Sequence, residues 1–231
     1  VSADGASVGV VGYKWMSESD QMKLDIKPIY LEKARRVKLP PPVTGSLREA
    51  LVSKLTKRVL AGQVATIYDP MGWATPVIAR LKLDMSDVCR VGSDWDEMLP
   101  PEFLNTWVDN LEMCQKLHKL VVPRNIGILN PREKVILIVC TDASQSIAVA
   151  CVYARVEHLD GMITCHLICA KSKLANKCTV PKAELRGCLL GGTIGHVVGL
   201  NMKEVVSEVV YVTDSSIALF WIMQDTRPLQ V

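Results

Sequence analysis

Four apolar runs crowd the second half of the chain, at 135–142, 148–155, 163–170 and 208–213. The first has strand length, is rich in β-branched residues and lacks a helix cap, and the other three are strand-like. Two longer helical patterns lie among them, at about 181–200 and 215–224. The order over this half is therefore β-β-β-α-β-α. It predicts a mixed sheet with helices against its faces, an α/β fold.

The first half has a different character. Residues 1–30 hold a short apolar stretch, "VGVVGYKW", then the polar turn "SESDQ", then "MKLDIKPI", a hairpin-like pattern. "LPPPVTGS" at 39–46 reads as an extended loop. One helical pattern runs through Leu51, Leu55, Val59 or Leu60, Val64 and Ile67 to "YDPMG". A second opens at Thr75-Pro76, a cap followed by proline at the first helical position. A third follows Pro100-Pro101 and places Leu104, Trp107, Leu111, Cys114 and His118 on one face. "VVPRNIGILNPREK" at 121–134 reads as a linker.

With 231 residues and 49% hydrophobic content, the chain can bury one large core or two small ones. The net charge of +3 says little about partners, and 5% aromatic residues argue against a broad base-stacking platform. The eight cysteines lie mostly in apolar runs, the habit of reduced, core-packed thiols. Cys165, His166 and Cys169 are close together, but "TCHLICA" alternates like a strand and no C-x-x-C knuckle exists, so core packing is preferred to zinc. The longest charge-free run, from Gly187, falls short of the roughly 20 residues of a membrane span. A protein off the membrane is expected.

Three carboxylates occupy comparable places. Asp142 ends the strand "VILIVCTD", Glu184 lies in the first turns of the helix after Val180-Pro181, and Asp214 ends "EVVYVTD". In the β-β-β-α-β-α order they can meet. Clustered carboxylates repel one another unless cations neutralise them, and such oxygen-rich sets suit Mg²⁺ or Mn²⁺. Helix capping and helix-dipole interactions are the alternative use of the same three residues. Gly187, Gly191 and Gly195 continue the face of Glu184 and predict a helix lying close against its neighbour.

The motifs "CTDASQSIAVACVYAR", "CAKSKLANKCTVPKAELRG" and "YVTDSSIALFWI" resemble the ribonuclease H segment of BEL/Pao retrotransposon polyproteins. Upstream, "GYKW", "LTKRVLAGQVATIYDPMGWATPVIARLK" and "DWDEMLPPEFLNTW" resemble the palm end, thumb and connection of the same family's reverse transcriptase. The resemblance spans nearly the whole chain. It implies the palm end at 1–30, a mostly helical thumb and connection at 31–134, and a ribonuclease H-like domain at 135–231, truncated at its C-terminus. Asp142, Glu184 and Asp214 would be its catalytic, metal-holding carboxylates, with a fourth beyond Val231. Mg²⁺ or Mn²⁺ would be the cofactor, and an RNA–DNA hybrid or template–primer duplex the partner, together with the rest of the Pol polyprotein. The setting would be a cytoplasmic virus-like particle or the nucleus.

The polymerase Tyr-x-Asp-Asp motif is absent, and so is the Asp-(Thr/Ser)-Gly of an aspartic peptidase. Val149 stands where the family usually has Gly, Ala148 where it has an aromatic, and Lys182 where it has Arg. Two readings follow: two-metal hydrolysis of RNA in hybrids, and a catalytically inactive nucleic-acid-binding connector from a degenerate element. Residues 23–58 carry ten Lys or Arg against three acidic residues. Arg35, Arg36, Lys54, Lys57 and Arg58 are the candidates for phosphate contact, against the alternative of a solvated basic surface.

Overall fold

The computed structural model describes residues 7–31, 42–128, 130, 132–175 and 178–224. The fold is mixed α/β, with two four-stranded sheets among the described residues. The chain divides into two compact units: Val1–Pro70 with Pro76–Arg124, and Met71–Thr75 with Asn125–Val231.

In the first unit β1 (Ser7–Val10), β2 (Tyr13–Met16), β3 (Gln21–Leu24) and β4 (Val121–Pro123) form an antiparallel sheet in that order. The sequence predicts one hairpin, about the turn between β2 and β3, but not the β1–β2 turn and not β4, since "VVPRN" carries linker residues. Tertiary pairing overrides that composition: Val122 sits opposite Met22. Beyond it, Arg124 grips Asp20 through two N–H bonds of 2.5 and 3.0 Å and lies over the Trp15 ring.

Two helices, α1 (Leu47–Val52) and α2 (Lys57–Ala65), replace the single pattern read between Leu51 and Ile67. Thr56 leaves helical geometry and its hydroxyl accepts from the N–H of Val59. Leu55 turns its carbonyl to the N–H of Leu99, 2.8 Å away. That long-range bond and the cap fix the break. Next, α3 (Thr75–Arg90) opens at the expected Thr-Pro. After it, α4 (Phe103–Lys116) tightens into a 3₁₀ turn at Leu117–Lys119. The tighter turn brings Leu117 inward and leaves His118 exposed, contrary to the helical spacing. Leu51, Leu60, Leu81, Val88 and Trp107 are fully buried at the centre of these helices.

The second unit holds β5 (Lys134–Ala143), β6 (Ile147–Glu157), β7 (Ile163–Leu174), α5 (Val180–Asn201), β8 (Val206–Thr213) and α6 (Ser216–Met223). This is the predicted order. The sheet runs β7-β6-β5-β8, with β5 antiparallel to β6 and parallel to β8. A parallel return needs a crossover, and α5 supplies it. Val135, Leu137 and Val139 alternate along β5 and are wholly buried, as are Val152, Ala154 and Val156 on β6. A register shift at Val152/Tyr153 breaks the alternation of β7, so Ile168 is the residue that enters the core. On the outer edge of β7 the N–H of Ala170 donates to the carbonyl of Met71. Gly72 beside it has φ +73°, and a β-carbon there would lie 1.8 Å from the Ala170 oxygen, so only glycine fits this approach.

The glycine face of α5 lies against β5. A β-carbon at Gly191 would stand 2.3 Å from Thr141 Cγ2, and one at Gly195 2.7 Å from Val139 Cγ2. Small residues thus set how close the helix comes. No helix among the described residues is long and apolar enough to cross a membrane.

Candidate metal centre

Strand direction brings the three carboxylates together. Because β5 and β8 are parallel, Thr141 pairs with Thr213. The next residues, Asp142 and Asp214, therefore stand side by side. β7 points the same way as β5, so the chain enters α5 at that same end of the sheet. The close approach of Gly187 to the Asp142 carbonyl, 3.3 Å from an ideal β-carbon, sets the helix depth. Glu184, nearly one turn earlier, then faces both strand ends. Ligand oxygens of Asp142, Glu184 and Asp214 all lie within 4.8 Å of one another.

Capping does not account for this set. Ser215, not Asp214, caps α6: its hydroxyl accepts from the N–H of Ala218 at 3.2 Å. Thr179 is the N-cap residue of α5, and Glu184 lies beyond the first turn. The turn after β5 closes through Ser144, whose N–H donates to Ile147 O at 2.8 Å. Asp142 accepts the adjacent N–H of Ala143, at 2.7 Å.

Among the described residues no cation pairs with any of the three. The electrostatic result appears at Glu184. Burial raises its carboxyl pKa above the ordinary 4.5, and the charges of Asp142 and then Asp214 push it further, against a backbone hydrogen bond from Ala143. Hard oxygen donors converging from rigid elements, with their repulsion unrelieved, fit Mg²⁺ or Mn²⁺.

The described members of the basic set differ in exposure. Arg35 and Arg36 lie outside the described residues. Lys54 is half-buried in the turn after α1. Lys57 is 6% exposed and its ammonium donates to the carbonyls of Val91 and Ser93 at 2.5 and 2.6 Å. That corrects the expected surface role of Lys57, since burial hides its charge from any phosphate. Arg58 is exposed but forks onto Asp96. Nothing in a local run of basic residues foretells which of them will turn inward.

All eight cysteines are free. Cys114 fits the expectation of a core thiol, and burial pushes its pKa up to about 11. Cys89 and Cys165 do not, being exposed. Sequence reasoning also missed a buried set at the opposite end of the sheet. His158 Nδ1 lies 3.0 Å from Glu133 Oε1, and its Nε2 2.9 Å from Thr164 Oγ1. These residues come from three separate segments, and no local pattern announces them.

Comparison with known proteins agrees with the motif reading. No curated protein matches the chain. Two solved structures resemble it weakly, both of the foamy viral protease-reverse transcriptase with double-stranded DNA. One is 13% identical with a TM-score of 0.44, over 97% of this chain and 40% of that one. The other is 13% identical with a TM-score of 0.41, over 93% and 32%. The chain thus spans well under half the length of either. The sequence profile of the Pao retrotransposon-like RNaseH-like domain matches residues 56–215, more than half of the chain and all three carboxylates. With that match on the same strands and helix that build the acidic cluster, the chain belongs to the Pao retrotransposon-like RNaseH-like domain family.

Proposed function

We propose that the second unit hydrolyses RNA in RNA–DNA hybrids with two divalent ions held by Asp142, Glu184 and Asp214, as part of a retrotransposon Pol polyprotein. The observation that carries the reading is the convergence of three carboxylates from the end of β5, from α5 and from just past β8, with no Lys or Arg among the described residues paired to them. Membership of an RNaseH-like family supports a nucleic-acid role for that cluster. Bound Mg²⁺ or Mn²⁺ would activate a water and steady the leaving oxygen. The chain's own residues fix the ligand positions. Asp142 is anchored by the β5 ladder and the Ala143 N–H, and Asp214 follows directly on the last β8 pair, Thr141 with Thr213. Glu184 is seated by the small face of α5. Its raised pKa means that protons and metal compete for it. We further propose that the first unit contributes template–primer contacts, with Arg58, Lys54 and the 35–36 pair as candidates.

The test is a melt of this chain with Mn²⁺, Mg²⁺ and no metal, beside cleavage of a labelled RNA–DNA hybrid by a longer polyprotein segment carrying it. Metal should raise the melting temperature, and the triple variant Asp142→Asn, Glu184→Gln, Asp214→Asn should lose both that rise and cleavage. A rise of equal size in the triple variant would overturn the metal reading. Cleavage that survives in the triple variant would overturn the catalytic one.

A further inference from the structure

Cys140 on β5 and Cys151 on β6 stand directly opposite one another. Among the described residues they are the one pair of cysteines so opposed across neighbouring strands. Both lie on the face of the sheet turned away from α5, since the glycines of that helix approach Val139, Thr141 and Ala150, which belong to the alternate set. Both are half-buried. Tyr153, two residues after Cys151 and on the same face, is 36% exposed, so solvent reaches this side of the sheet.

The ladder fixes the separation of the two thiols. The N–H of Ser144 donates to Ile147 O, so that opposed pair is hydrogen-bonded, and bonded pairs recur at every second rung: Asp142 with Val149, then Cys140 with Cys151. Bonded pairs hold their Cα atoms about 5.5 Å apart, inside the span of roughly 4.4–6.8 Å that a disulfide bridges. The Sγ of Cys151 lies 3.8 Å from the carbonyl oxygen of Cys140. A disulfide needs its β-carbons about 3.8 Å apart, whereas opposed residues in a sheet hold theirs at about 4.5–5.5 Å. Closing the bond therefore draws β5 toward β6 at this rung by roughly 1 Å. Asp142 stands two residues on, about 7 Å along the strand and on the same face. β6 and β8 flank β5 on opposite sides, so a pull toward β6 is a pull away from β8 and from Asp214 just past its end. A binding constellation has to be held to within about 0.5 Å, so this displacement is large enough to spoil one.

We propose that Cys140 and Cys151 form a reversible disulfide that weakens metal binding at the acidic cluster, a thiol switch set by the surrounding redox poise. The bond stands on the strand register alone, whereas its effect rests on reading the acidic cluster as the metal site. Glutathione disulfide serves as the oxidant. One protein thiolate attacks a sulfur of glutathione disulfide, whose S–S bond breaks and releases one glutathione. The second protein thiolate attacks the protein sulfur of that mixed disulfide, the Cys140–Cys151 bond forms, and the second glutathione leaves. Two protein thiols are oxidised, one glutathione disulfide is reduced to two thiols, and the two protons pass from the protein to them.

Incubation of this chain with glutathione disulfide, with and without later dithiothreitol, tests this. Remaining thiols are tagged with iodoacetamide before digestion with trypsin. Cleavage after Lys134 and after Arg155 frees one peptide that holds both cysteines and no other. It should carry two tags from the reduced chain, none after the oxidant with a mass lower by two hydrogens, and two again after dithiothreitol. The Mn²⁺ rise in melting temperature should shrink at least twofold in the oxidised chain and return with dithiothreitol. Cys151→Ser and Cys140→Ser cannot close the bond, and each should keep its Mn²⁺ rise in the oxidant. Two tags persisting after the oxidant, or a glutathione left on either cysteine, would overturn the disulfide. A closed bond with an unchanged Mn²⁺ rise would overturn the switch, and so would an equal loss in the oxidised serine variants, which would trace it to the other thiols. If the reduced parent shows no Mn²⁺ rise, the acidic reading fails and the switch with it, and the tags still decide the disulfide.

Discussion

The two ends of the second unit's sheet treat carboxylates in opposite ways. At the start of β5, Glu133 is 5% exposed and meets His158, itself 6% exposed. Its other oxygen takes the N–H of Asn130 at 3.2 Å, and Thr164 completes the set on the far nitrogen of His158. At the end of β5, Asp142 is exposed beside Glu184 and Asp214, with no cation among the described residues. Glu133 directly precedes the strand that carries Asp142. A carboxylate that serves the fold is given its donors from within, because an unpaired buried charge is costly. One left with open oxygens beside two like charges offers those oxygens to a cation from outside. The contrast separates architecture from site on one piece of scaffold, and it can be broken in several ways.

The largest effect belongs to the buried end. His158→Ala leaves the Glu133 carboxylate and the Thr164 hydroxyl without their shared partner. A loss of about 3–5 kcal/mol is expected from urea unfolding, the usual result of removing one member of a buried pair. The loss should be the same with and without Mn²⁺. A loss that grew or shrank with Mn²⁺ would show that the two ends are coupled and that the comparison is mistaken.

The next effect tests what holds α5 at its depth. Gly191→Ala puts a methyl group 2.3 Å from Thr141 Cγ2 and 3.2 Å from Val139 Cγ1. Overpacking of that kind costs about 1–3 kcal/mol, against about 1 kcal/mol gained in helix propensity. A net loss of about 1 kcal/mol is expected, with a smaller Mn²⁺ shift because Glu184 rides on the displaced helix. Gly192→Ala is the control. No atom lies within 4 Å of its β-carbon site, so it should stabilise by about 0.5–1 kcal/mol and leave the Mn²⁺ shift alone. If the two alanines behave alike, the glycine face is not what seats Glu184.

Much of this was legible before any coordinates. Hydrophobic periodicity revealed the order β5 to α6, because alternate burial on a sheet and a core-facing stripe on a helix leave different spacings. The acidic set was legible because strand ends and a helix start stand at readable places in that order. What escaped was long-range. β4 exists only because β3 offers it an edge. The break between α1 and α2 depends on Leu99, and the inward turn of Lys57 on the carbonyls of Val91 and Ser93. The Glu133, His158 and Thr164 set joins segments whose local sequence carries no sign of the others.

At the open end the effect on folding is smaller and the effect on metal larger. Asp142→Asn keeps the shape and the Ala143 contact while removing one of three like charges. Without metal the protein should be unchanged or stabilised by up to about 1 kcal/mol, the reverse of the His158 result. With Mn²⁺ it should gain less than the parent, since one ligand has lost its charge. Paired melts check both statements at once. Equal Mn²⁺ shifts in variant and parent would remove Asp142 from the metal site.

The smallest expected effect is a difference in pH dependence, and it sharpens the same contrast. The folded pKa of Glu184 lies above its ordinary 4.5, through burial first and the Asp142 and Asp214 charges next. Between 4.5 and the raised value the folded state therefore holds more protons than the unfolded one, so stability falls as pH rises through that window. Asp20, Asp25 and Glu157 are shifted the other way by Arg124, Lys27 and Arg155, and their contribution is lost as pH falls. Comparing Glu184→Gln with the parent at each pH cancels those three. The variant's advantage without metal should be absent below pH 4.5, grow through the window above it, and then level off once Glu184 is fully ionised. Saturating Mn²⁺ should abolish or reverse that advantage, because the metal selects the ionised carboxylate that the apo cluster disfavours. A stability difference independent of pH would mean that Glu184 feels neither neighbour, and the cluster would be three carboxylates near one another without consequence.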